Sequence, residues 1–223
     1  VEKIRTVSDT KREFYTYHTR PINSIYRAVV DELITEMHLL SVNLDFKPDP
    51  LYYLGVVTAY EQFMAGYTPI EHKNSIFNAL CKAVGGDPET YRQQAEALVN
   101  FARNHPAAEV INWLASPTPE EGVAELADSI KAIASQDNFK YSRLFAIGLY
   151  TLIIENDSEL LKDDKKREET FQQVSKSLNL PLEKMKKDLD LYRSNLEKMT
   201  QKLNVLEETL EASRKKTEKS STN

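Results

Sequence analysis

Four histidines, one cysteine and one helix-spaced pair of carboxylates are the side chains whose types could ligate a metal or react. His18, His38, His72 and His105 stand 20, 34 and 33 positions apart, so no two share a ligand spacing. Glu32, Glu36 and His38 come closest, because residues four apart return to one helix face. A helical di-iron site uses Glu-x-x-His with both groups pointing inward, whereas Glu36 and His38 fall about 200° apart around a helix. No metal and no cofactor are expected. Cys81 lies beside Leu80 and Val84 on an apolar face, where a thiol acts as a small buried hydrophobe. Gly85-Gly86 reads as a helix stop rather than a phosphate-cradling loop. The residues form no catalytic constellation, and the chain is expected not to be an enzyme; the competing view is a helical enzyme or pigment-binding protein using His38 or His105 as a ligand.

The chemistry that does concentrate is that of binding. Residues 13–30, EFYTYHTRPINSIYRAVV, gather Phe14, Tyr15, Tyr17, His18, Arg20 and Tyr26 around Pro21, at a break between two helices. Aromatic and basic groups together are favoured in binding hot spots. Tyr17, His18 and Arg20 are the partner-binding candidates; the alternative is that these aromatics pack the first helix onto the body.

Elements that position these groups are legible from punctuation and period. Asp49-Pro50 and Asp87-Pro88 each set a capping carboxylate before a proline suited to the first helical turn. Thr118, Pro119 and Glu121 have the form of a capping box, which predicts a helix over 119–135. Ile25, Val29, Leu33 and Met37 make one wide apolar face opposite Arg27, Asp31 and Thr35. Tyr53, Val57, Tyr60, Met64 and Tyr67 repeat that rule up to a stop at Gly66 and Pro69. The run 144–154, LFAIGLYTLII, is apolar all round, which predicts a central helix enclosed by others. Further helices are expected over 88–104 and 164–177.

The last fifty residues carry a heptad seam: Leu182, Met185, Leu189, Tyr192, Leu196, Met199, Leu203, Leu206 and Leu210 alternate at steps of three and four. Charged residues such as Glu183, Lys187, Glu197, Lys198 and Glu208 lie outside it, a coiled-coil pattern. The helix would be about 50 Å long, more than a compact body of this size needs. An arm of this kind binds a partner, pairs with a second copy, or folds back on the body; Leu191 and Val205 add apolar surface outside the seam.

Composition sets the frame. The chain has 223 residues, 41% hydrophobic, enough for one core with an extension. Six glycines and no hairpin dipeptides argue against a sheet. The fold class expected is all-α: a single helical-bundle domain with a long C-terminal coiled-coil-like helix. The divisions are a helical body with the aromatic and basic N-terminal segment over 1–156, a connection and short helix over 157–180, the heptad helix over 181–213, and a disordered tail over 214–223; the first six residues are also expected to be disordered.

The single cysteine leaves no internal disulfide to form, which fits a reducing compartment. The net charge of −5 falls on residues 1–156, since 157–223 hold fifteen Lys and Arg against fourteen Asp and Glu. That balance disfavours nucleic acid. Short basic ends, Arg214 to Lys216 among them, suit either solubility or an anionic membrane surface. The longest apolar run, 11 residues, is short of the ~20 that cross a bilayer, so a soluble chain is expected.

Several long segments, in order, resemble one family. TVSDTKREFYTYHTRPINSIYRAVVDELITEMHLLSVNLDF, DPLYYLGVVTAYEQFMAGY, SIFNALCKAVGGDPETYRQQAE, FKYSRLFAIGLYTLI and DLDLYRSNLEK are similar to the thylakoid formation family of photosynthetic organisms, across residues 6–200. RPINSIY, Arg20 to Tyr26, and FKYSRLFAIGLY, Phe139 to Tyr150, are the most distinctive. The resemblance implies an all-helical, non-catalytic factor in thylakoid membrane biogenesis and photosystem II assembly and repair. Its implied partner is the FtsH protease complex of the thylakoid membrane, and its implied place is the cytoplasmic or stromal face of that membrane, as a peripheral protein. The N-terminal half reads as cyanobacterial, a processed chloroplast form being the other origin. The resemblance assigns no contact residue. A structural membrane-organising or lipid-tethering protein is the alternative function.

Overall fold

Asp49 and Asp87 start the two helices expected of them: the Asp49 carboxylate accepts from the N–H groups of Leu51 and Tyr52, and that of Asp87 from Glu89. In the computed structural model, the backbone of residues 4–155 and 157–220 is described, and all their side chains except those of 158, 161 and 217–220. Ten α-helices and no strand occur among the described residues: α1 Val7–Tyr17, α2 Ser24–Ser41, α3 Pro50–Phe63, α4 Ile70–Ala83, α5 Pro88–Asn104, α6 Ala107–Ala115, α7 Ala124–Ser135, α8 Arg143–Ile154, α9 Asp164–Ser177 and α10 Leu182–Ser220. A 3-10 turn over Ser158–Leu161 joins α8 to α9. The fold is all-helical, with a long last helix.

The apolar run becomes α8, and its most extensive neighbour is α3. Their backbones touch through two glycines. A Cβ on Gly55 would sit 1.7 Å from the Leu144 carbonyl oxygen, and one on Gly148 would sit 1.8 Å from that of Leu51. Only residues without a side chain permit this crossing, and it brings Leu51, Leu54, Ile147 and Leu152 into one core. Around the pair, α5 covers α3, α1 lies on α4, and α10 on α8. Gly85, at φ +81°, ends α4 in the left-handed region as the Gly85-Gly86 stop requires.

Three boundaries differ from the sequence reading. Helix α7 begins at Ala124, not at Pro119, because Thr118 does not cap: its hydroxyl donates to Glu120, 3.2 Å away, and its carbonyl accepts from the Trp113 indole at 2.9 Å. A buried indole N–H needs an acceptor, and that need takes the segment. Trp113 belongs to α6, a nine-residue helix not foreseen, whose Val110, Ile111, Trp113 and Leu114 are buried. At the other end, α10 continues to Ser220, so residues 214–220 are helical rather than tail. Thr6 and Asp9 close a capping box, and Arg5 pairs with Glu13, so the N-terminal order begins within the first six residues. The expected body end at Asn156, and the disorder expected of 1–3 and 221–223, lie outside the described residues.

Candidate functional site

Helix α1 stops at Tyr17, where the His18 N–H still donates to the Phe14 carbonyl and Pro21 follows. The chain then turns into α2 at Asn23, which caps Ile25. This break divides the aromatic cluster. Phe14, His18 and Tyr26 point inward, and Tyr26 donates its hydroxyl to the Ala65 carbonyl at 3.2 Å. Tyr15, Tyr17 and Arg20 remain exposed.

His18 is therefore not a surface contact. It is 2% exposed, its Nδ1 pairs with the Ser75 hydroxyl at 2.9 Å, and its ring lies 6.3 Å from that of His72. Burial, then the nearby His72 and Arg20, lower its pKa and keep the ring neutral. Its role is to pin the α1 terminus to α4. Of the three partner candidates, Tyr17 and Arg20 stay available.

Tyr17 borders a polar groove of about 420 Å³ against α4, whose floor is Asn74, Ser75 and Asn78, flanked by Glu71 and Lys82. The Lys82 ammonium stands 5.5 Å from the Tyr17 ring centroid, so the groove already holds its own cation. Asn78 keeps a buried Oδ1 there that has no hydrogen-bond partner among the described residues. The sequence reading missed this stripe; its signal was the spacing i, i+3, i+4, i+7, i+11 of Glu71, Asn74, Ser75, Asn78 and Lys82, polar residues on one helix face.

The heptad seam is divided along its length. Met185, Leu189, Tyr192 and Met199 are buried in the same core as Phe145, and Leu182, Leu196 and Leu203 are half-buried against it. Tyr192 donates to the Gln62 side chain at 2.8 Å, and its ring lies 5.8 Å from that of Phe63. Tyr141 donates to Asp188 at 2.8 Å, and Lys186 pairs with Glu168. Beyond Leu203 the helix leaves the body: Val205 is 62%, Leu206 37% and Leu210 51% exposed.

His38, His105, Glu32 and Glu36 have structural partners. His38 Nδ1 pairs with the Thr10 hydroxyl at 2.8 Å, and His105 Nδ1 donates to the Phe101 carbonyl at 2.8 Å while its ring lies 4.3 Å from that of Phe101. Glu32 and Glu36 both receive Arg143, at 3.0 and 2.6 Å, which ties α2 to the start of α8. Burial pushes the Cys81 thiol up to about 12, far from a reactive thiolate. No cluster of three or more His, Cys, Asp or Glu able to hold a metal occurs among the described residues. None of their helices is long and apolar enough to cross a membrane.

A family profile described as thylakoid formation protein matches residues 6–221. The chain belongs to the thylakoid formation protein family. Protein Thf1 of Rippkaea orientalis is 57% identical over 220 residues, 98% of this chain and 94% of that protein. Protein Thf1 of Synechocystis sp. is 49% identical, covering 97% of this chain and 90% of its own length. A solved structure of Psb29 superimposes with a TM-score of 0.82 at 42% identity, over 95% of this chain and 98% of that one. This chain and that solved structure therefore have the same helical architecture.

Proposed function

We propose that the protein is a non-catalytic factor in thylakoid biogenesis and photosystem II assembly and repair, acting at the cytoplasmic or stromal face of the membrane by binding and supporting the FtsH protease complex. Family membership supports the thylakoid part of this reading. The observation that carries the binding part is the free end of α10, where Leu206 and Leu210 continue an apolar seam that the body no longer covers and Val205 is exposed beside it. A helix face of this kind docks on another protein through anchors at i, i+3, i+4 and i+7 spacing. Exposed Tyr17 and Arg20 offer a second contact.

Co-purification with FtsH from thylakoid membranes tests the reading. Leu206→Asp with Leu210→Asp, and separately Tyr17→Ala with Arg20→Ala, are expected to reduce recovery about tenfold, the effect of losing one modest hot spot, with helicity and melting unchanged. Unaltered recovery with both pairs would remove the reading. The exposed Arg214, Lys215 and Lys216 favour a second one, tethering of anionic lipid. Flotation with anionic vesicles lacking protease, lost in high salt, would support that alternative.

A further inference from the structure

A second groove, of about 320 Å³, opens between the α2–α3 loop and the α4–α5 turn, and its wall differs in kind from the one at Tyr17. Phe46 and Tyr53 are half-buried at its surface, and Tyr52 and Tyr91 stand behind them. The rings form a continuous set: Phe46 lies 4.9 Å from Tyr52 and Tyr53 4.4 Å from Tyr91, centroid to centroid. Pro48 adds an apolar edge and Asp87 a carboxylate. That carboxylate accepts from the Glu89 N–H and the Thr90 hydroxyl, which hold its pKa below the usual range, so it stays charged. Among the described residues no Lys or Arg lines this groove; Lys82, of the groove at Tyr17, acts on the Asp87 carboxylate only as the weakest of its neighbours, and Lys47 stands between Phe46 and Pro48 in sequence. Beside it, at the end of α2, Leu39 and Val42 are exposed, and Leu44, between the groove residues Ser41 and Phe46, is 99% exposed.

Aromatic rings beside a fixed anion are complementary to a positive charge, and the adjoining Leu39, Val42 and Leu44 to an apolar surface. We propose that this groove is a docking site for a basic side chain, Lys or Arg, carried on an apolar segment of a partner protein. The cation sits against Phe46 and Tyr53 with Asp87 as its counter-ion, while its apolar neighbours cover Leu39, Val42 and Leu44. Arg is the better fit, because a planar guanidinium stacks on a ring and pairs with a carboxylate at once. This site uses neither Tyr17, Arg20 nor the free end of α10, so it stands or falls apart from the protease reading.

The test is titration of the full chain with acetyl-Leu-Arg-Leu-amide, followed by the backbone amide resonances of Gly85, Gly86 and Thr90, which border the groove. Saturable shifts confined to these amides and the α2–α3 loop are expected. Asp87→Asn, which keeps a capping oxygen, and Tyr53→Ala are each expected to weaken binding roughly five- to tenfold, while Tyr53→Phe, which keeps the ring, retains it. Equal affinity for acetyl-Leu-Gln-Leu-amide would overturn the role of charge. Equal affinity for tetramethylammonium alone would overturn the protein partner in favour of a free cation. Absence of saturable shifts, or wild-type binding by Asp87→Asn, would overturn the site itself.

Discussion

At the scale of single residues, Asp49 shows how one sequence signal can serve two opposed demands. As the cap of α3 its carboxylate receives two backbone N–H groups, at 2.9 and 3.0 Å, yet burial outweighs them and raises its pKa to about 7. The folded chain thus holds this proton more tightly than an unfolded one, where an aspartate titrates near about 4. Its contribution to stability is fullest below that pH and is lost as the pH rises towards 7. Asp49→Asn keeps the capping oxygen without the charge. Denaturant melts at pH 4.5 and 8 should find the variant gaining on the wild type by on the order of 3 kcal/mol across that interval; parallel behaviour of the two chains would contradict the assignment. The cap was legible in the dipeptide Asp49-Pro50. Its burial was not, and neither was that of His18, because a local pattern gives a residue's place on a helix but not what packs over it.

Helices raise a related question of which surfaces meet. The period of apolar residues announces that α2, α3 and α8 each have buried faces, but it does not single out Gly55 and Gly148 as the point where α3 and α8 cross backbone to backbone. Gly148→Ala would press a methyl into the Leu51 carbonyl and force the two central helices apart. Chemical denaturation should register a loss of about 3 kcal/mol, at the upper end of core overpacking. Gly85→Ala, where nothing described beyond the adjoining residues lies within 4 Å of the new methyl but φ is +81°, should cost only about 1–2 kcal/mol of backbone strain. A smaller loss at Gly148 than at Gly85 would refute the close crossing. The same limit explains α6 and α7. Thr118, Pro119 and Glu121 satisfy the capping rule, but the buried Trp113 indole competes for the segment, and tertiary satisfaction of a polar group overrides a local motif.

In the whole molecule, α10 is both the last layer of the core and an arm. About 60 Å long over its 39 residues, it closes the body with Met185, Leu189, Tyr192 and Met199, then continues past it. A chain ending at Leu180 forfeits those four buried side chains, each worth about 1.5–3 kcal/mol, and should melt well below the full chain or fail to fold. One ending at Asn204 keeps them and should melt within a few degrees of it, by circular dichroism; equal loss in both would contradict the division of the helix. The heptad repeat, the capping aspartates and the wholly apolar run of α8 determined by themselves that this is an all-helical chain with a long last helix, because each states a period or a local hydrogen bond that needs no distant partner. What the seam faces, which aromatics turn inward, and where a carboxylate meets a cluster of rings were decided only by tertiary structure. Burial and pairing belong to residues brought together from far apart in sequence, and a one-dimensional pattern carries no record of those distances.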